Sequence, residues 1–180
     1  MRRSDLEHLI RAAGRIAGER ELIIIGSQSV LGQFPDAPVA LLMSMECDLY
    51  PKARPELADK VDAAIGEGSK FHETHGYYAQ GVGPETATLP RGWEQRLIRV
   101  ENQNTVGYAG LCLEVHDLAI SKHVAGREKD REFTRELARH KLISKRTLLQ
   151  RLANTTLERA FATLVKGRIG MDFPDSPRRK

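Results

Sequence analysis

The sequence predicts an α/β protein, a mixed β-sheet flanked by helices with a helical C-terminal part. Three observations carry that reading. An apolar run, Glu21-Leu-Ile-Ile-Ile25, ends at Gly26-Ser27. A second strand-like segment, Met45-Glu-Cys-Asp-Leu-Tyr50, alternates carboxylates with apolar residues, and from Asp117 onward every segment is helical. At 180 residues the chain is long enough for one domain with its own core.

The elements follow in order. Leu6, Leu9, Ile10, Ala13, Ile16 and Ala17 recur at helical spacing, predicting an amphipathic helix over residues 4–19. Strand 21–25 comes next, then a short helix from Ser27 to about Gln33, stopped by Phe34-Pro-Asp-Ala-Pro38. Strand 45–50 ends at Pro51, and Leu57, Val61 and Ile65 form one stripe of a helix over 55–66. His72 to Gly83 is aromatic and punctuated by Gly, with a strand expected at Tyr77-Tyr-Ala79. Two more strands are expected at Gln95–Glu101 and Leu111–Val115, and breaks in the later helices at Ala125-Gly126 and Ile143-Ser144. This divides the chain into an α/β core over 1–116, a helical part over 117–171 packed on that core, and a polar tail over 172–180.

Composition narrows the class. Hydrophobic content of 41% and charged content of 29% are ordinary for a globular protein. No apolar run reaches the roughly 18 residues a membrane span requires, and no apolar leader follows Met1-Arg-Arg-Ser-Asp5, so a cytoplasmic location is expected. Cys47 and Cys112 sit in apolar patterns with no second cysteine nearby, which predicts buried, reduced thiols. The histidines are scattered with no His-x-x-x-His, which argues against a zinc site.

The net charge is +4, and basic residues cluster from Arg127 to Arg151, where nine Lys and Arg face four acids; the chain ends Pro177-Arg-Arg-Lys180. Such a stretch is either a phosphate-facing surface or a solvated helical face laced with ion pairs.

The chemistry centres on residues 26–48. Side chains in a strand alternate faces, so Glu46 and Asp48 point the same way. Two like charges on one face call for a cation between them, and a hard divalent ion with oxygen ligands is the natural occupant. Gly26 permits a tight turn, and Ser27 is expected to cap the next helix, leaving N–H groups directed at a phosphate. Lys122 lies in the apolar stretch Leu118-Ala-Ile-Ser-Lys-His-Val-Ala125, where it is either a surface lysine or a phosphate contact. Arg127, Lys129 and Asp130 form either part of the same site or a structural ion-pair network. His72, His75, Tyr77, Tyr78 and Trp93 either stack on a base or pack internally.

Gly26-Ser27, the Glu46-x-Asp48 strand and the run Glu114-Val-His-Asp-Leu-Ala-Ile-Ser-Lys-His-Val-Ala-Gly-Arg-Glu-Lys-Asp130 resemble, over about residues 20–142, the minimal nucleotidyltransferases of the polymerase-beta superfamily. The similarity is to the group that includes abortive-infection and toxin–antitoxin nucleotidyltransferase toxins. The resemblance implies that Glu46 and Asp48 hold Mg²⁺ or Mn²⁺, as two ions about 3.5–4 Å apart. It also implies that Gly26 and Ser27 contact nucleotide phosphates, and that Lys122 and Asp130 belong to the site, with Arg127 beside the nucleotide. Glu114 is expected as a third metal carboxylate, with Glu101 as the alternative. An NTP substrate, a transfer-RNA or protein acceptor and a separately encoded antitoxin follow from the resemblance. A non-catalytic RNA- or protein-binding module that keeps the fold is the alternative.

Overall fold

The computed structural model describes residues 1–174. The basic end Pro177 to Lys180 and most of the segment expected as a polar tail lie outside the described residues. The elements are α1 (Arg3–Ala17), β1 (Glu21–Ile24), α2 (Val30–Gln33), β2 (Glu46–Pro51), α3 (Ala58–Ile65), α4 (Lys70–His75), β3 (Tyr78–Gly81), β4 (Ile98–Val100), β5 (Ala109–Cys112), α5 (Val115–Ala125), α6 (Glu128–Arg139), α7 (Lys145–Ala153) and α8 (Arg159–Asp172).

The five strands form one mixed sheet in the order β3-β2-β1-β5-β4. Strand β1 runs antiparallel to β2 and parallel to β5, while β2 and β3 are parallel. Central placement explains why Leu22, Ile23 and Ile24 are all buried, since both faces of β1 are covered. On one face, α1 lays Leu6, Leu9, Ile10 and Ala13 against the sheet. Gly110 of β5 is required there, because a Cβ would press into Ile10 and Ile24. Alternation sends Leu49 and Cys47 toward that side and leaves Glu46, Asp48 and Tyr50 on the other face.

The four C-terminal helices join the same apolar cluster through Leu118, Ile120, Leu137, Leu148, Val165 and Ile169. Their breaks fall where the sequence placed them. Gly126 takes the left-handed conformation (φ 65°) that ends α5, and the Ser144 hydroxyl accepts from Thr147 N–H to begin α7. A third break, between α7 and α8, was not expected, and α8 runs through Asp172.

Other boundaries differ from expectation for local reasons. Residues 70–75 form α4, capped by Ser69 and ended by Gly76 at φ 75°, a helix that the aromatic, Gly-punctuated reading of His72 to Gly83 did not include. Strand β4 is confined to Ile98–Val100 because Trp93–Arg96 coil into a 3₁₀ turn. Strand β5 begins two residues and ends three residues earlier than expected, because Glu114 already caps α5. Both cysteines are free and buried, and burial pushes the Cys112 thiol up to about 12. Among the described residues, no helix is long and apolar enough to cross a membrane.

One buried ion cluster ties the helical part to the sheet. Asp117 of α5 is fully buried and accepts two hydrogen bonds from Arg96, at 2.7 Å from Nε and 3.0 Å from Nη2. Arg151 of α7 brings its Nε within 3.0 Å of the same carboxylate. Removing the anion leaves two converging guanidinium groups without their common partner. Both reach solvent in part, so Asp117→Ala is expected at the low end of buried-pair losses, about 3 kcal/mol. Thermal unfolding should show this as a fall in Tm of roughly 6–12 °C. An unchanged Tm would mean that the arginines repack onto water at no cost.

Candidate active site

The pairing of β1 with β2 extends one step past the strand end, where Ile25 N–H donates to the Asp48 carbonyl at 3.1 Å. That step sets Gly26 directly beside Asp48, and a Cβ at position 26 would overlap the Asp48 carboxylate. The need for glycine here is therefore close approach, since Gly26 itself has an ordinary extended φ of −78°.

Glu46 and Asp48 share one face of β2 and line one cavity of about 360 Å³ with Gly26, Gln80, Ser121, Lys122, Arg127 and Lys129. Burial and the neighbouring Glu46 carboxylate push the Asp48 carboxyl up, opposed by Lys122, Lys129 and Arg127. Lys129 Nζ approaches Glu46 Oε1 at 3.5 Å, and the Tyr78 hydroxyl donates to Glu46 Oε2 at 3.4 Å, long for a hydroxyl-carboxylate bond.

Lys122 is turned inward, with 13% of its side chain exposed. Its ammonium lies 3.2 Å from Asp130 Oδ1 and 5.8 Å from the centre of the Phe133 ring. Asp130 is buried and also accepts from Arg127 Nε at 2.7 Å. Burial alone would raise its carboxyl, but the hydrogen bonds from Arg127 and Lys122 hold it below the usual value. Asp130 thus orients both cations, and this ion-pair network borders the cleft.

A second lobe of about 470 Å³ shares Glu46, Lys122 and Lys129 with the first. Leu41, Met43, Met45, Tyr78 and Phe133 give it an apolar side, while Ser27, Glu67, Asp130 and Glu132 line the rest. The cleft therefore has a cation-rich compartment and a mixed one with an apolar side, meeting at Glu46.

Several expected residues sit elsewhere or act differently. Ser27 makes no side-chain cap; Gly26 holds the cap position, and the segment is a 3₁₀ turn (Ser27–Ser29) running into the single-turn α2. So short a helix gives a weaker positive end than the sequence suggested. Glu114 does not join the carboxylate pair. It begins α5, accepting from His116 N–H at 3.2 Å and pairing with the His116 ring at 2.7 Å. The strand ends at Cys112, and this turns Glu114 away into the helix cap. Glu101 pairs with Arg99 at 2.7 Å. Among the described residues, no three His, Cys, Asp or Glu side chains converge as a metal cluster.

His75 and Tyr77 pack with His8 and Phe71, while His72 rests on Tyr78 with ring centres 4.6 Å apart. Trp93 lines a separate cavity with Tyr50, Leu97 and Leu111. Within the basic stretch, Arg151 is turned inward onto Asp117, while Lys141, Lys145 and Arg146 are exposed. Sequence reading missed Gln80 and the link from Tyr78 to Glu46. Both stand on the face of β3 that meets the carboxylates, a placement that only the strand order reveals.

A glycine packed against a two-carboxylate strand, facing a basic cleft on a mixed sheet, fits a nucleotidyltransferase. The chain belongs to the family described as a nucleotidyltransferase of unknown function (DUF6036), which it matches over residues 4–164. No curated protein and no solved structure matches the chain.

Proposed function

We propose that the protein is a metal-dependent nucleotidyltransferase that moves a nucleoside monophosphate from an NTP to an acceptor hydroxyl and releases pyrophosphate. The observation that carries this reading is the same-face pair Glu46 and Asp48, facing a cavity rimmed by Lys122, Arg127 and Lys129. Two carboxylates on one face of a strand suit a hard divalent cation. Mg²⁺ or Mn²⁺ held there supplies charge neutralisation and polarisation of a phosphoryl oxygen.

The chain's own residues do the rest. Lys122 and Lys129, reaching in from α5 and α6, bind phosphate oxygens and offset the charge that develops on them. Asp130 keeps Lys122 and Arg127 oriented. Gly26 lets the backbone approach the reacting phosphate, and the lobe of Met43, Met45 and Phe133 accommodates an uncharged planar group such as the base.

Of the acceptors that the family resemblance implies, a transfer-RNA end is favoured by the turn between α6 and α7. There Lys141, Lys145 and Arg146 are exposed, with no salt-bridge partner among the described residues. A toxin held in check by an antitoxin protein is the biological setting of this reading. Incubation with Mg²⁺, radiolabelled NTPs and transfer RNA should label the RNA. Reversing Lys141, Lys145 and Arg146 to Glu should weaken RNA binding and flatten its salt dependence while leaving NTP binding unchanged. Labelling that survives the reversals would move the acceptor surface elsewhere. RNA binding without any label or NTP binding would favour the non-catalytic module.

A further inference from the structure

Among the described residues the carboxylate pair has no third acidic partner, yet a hard divalent cation takes six or more oxygen ligands, and the amide carbonyls of Asn and Gln serve beside carboxylates. Strand β3 lies in register against β2, with Tyr78 opposite Glu46 and Gln80 opposite Asp48. Residues paired in this way lie about 4.8 Å apart and share a face. The first pair shows what the register does, since the Tyr78 hydroxyl reaches Glu46 Oε2. The second sets a neutral amide beside the deeper carboxylate, and Gln80 lines the same cavity as Glu46 and Asp48.

The competing neutral side-chain oxygens in that cavity come from Thr86 and Ser121, one ending a 3₁₀ turn (Pro84–Thr86) and the other on α5. Only Gln80 is carried by a strand hydrogen-bonded directly to the strand of the carboxylates. Backbone pairing fixes its Cα relative to theirs, which is the condition for a preorganised ligand set.

We propose that the Gln80 amide oxygen completes the metal site as a neutral third protein ligand beside Glu46 and Asp48. This rests on the reading of those two residues as metal ligands. Two negative ligands, sharing their cavity with Lys122, Lys129 and Arg127, bind a free cation weakly. Substrate phosphates then contribute much of the coordination, so the metal is bound chiefly together with the NTP. A carboxylate at position 80 would instead hold the ion without nucleotide.

The test is Mn²⁺ binding to the full chain without nucleotide, read from the electron paramagnetic resonance signal of free Mn²⁺. Gln80→Leu should raise the Kd about tenfold, and Gln80→Glu should lower it about tenfold or more, since affinity follows the charge of the ligand set. Gln80 is exposed, so both variants should keep the wild-type circular dichroism. The gain in Gln80→Glu is decisive because a loss in Gln80→Leu alone would also follow from a change in cavity polarity. Failure of that gain, with Asp48→Asn abolishing Mn²⁺ binding to the Gln80→Glu chain, overturns the role of Gln80 alone. Mn²⁺ binding that is the same with and without Asp48→Asn overturns the two-carboxylate reading itself.

Discussion

Asp48→Asn is expected to abolish metal-dependent stabilisation by NTP while leaving the fold intact. The substitution keeps the shape of a side chain that sits against Gly26 and removes only its charge. In the apo protein that charge is disfavoured by burial and by Glu46, so the neutral amide should cost the resting fold little. Ligand binding is another matter, because a cation short of one carboxylate and facing three basic groups has little reason to stay. At ligand concentrations of about 100 Kd, the wild-type chain gains about 2.7 kcal/mol by mass action. For a chain of this size that is a rise in Tm on the order of 5–10 °C. Thermal melts with Mg²⁺ and NTP should show this rise in the wild type and lose it in the variant. An equal rise in both would place the nucleotide away from β2.

The parts of this site legible in the sequence are those carried by short-range periodicity. Glu46 and Asp48 share a face because strands alternate, and Gly26-Ser27 follows an apolar strand, so both features could be read without knowing the fold. The role of Gly26 was read less well. A tight turn was expected, whereas the glycine is needed because Asp48 lies against it, a contact between residues of two different strands. Ser27 was expected to cap a helix, but the segment is too short and too tightly wound for a capped α-helix to form.

Long-range neighbours were the part that could not be read. Glu114 was read on the last strand, directly before the Lys122 helix, since nothing local says that β5 stops at Cys112 and that the carboxylate folds back to begin α5. Gln80 drew no notice because a glutamine in an aromatic, Gly-rich stretch has no signal of its own. Its meaning comes from β3 lying in parallel register with β2. The Asp117 cluster was hidden for the same reason: Arg96, Asp117 and Arg151 belong to three separate segments and meet only when the helices pack. Fold class was easier because it depends on element type and order, which periodicity reports directly.

Lys122→Ala is expected to lower turnover by about ten- to a thousandfold, the range for removing a group that stabilises transferring charge. The variant also changes the fold's electrostatics, because Lys122 partners the buried Asp130 as well as facing the cleft. Arg127 still satisfies Asp130 through Nε at 2.7 Å, so the stability loss should be modest compared with that of Asp117→Ala. A double-mutant cycle separates the two roles. Lys122→Ala and Asp130→Asn should couple in stability, since they are direct partners. In turnover, Asp130→Asn should reduce activity only when Lys122 is present, because the aspartate acts by holding the lysine. Activity lost equally in Asp130→Asn with and without Lys122 would give Asp130 a role of its own at the phosphates. Lys122→Ala at wild-type turnover would make the lysine a structural partner of Asp130 and leave phosphate binding to Lys129 and Arg127.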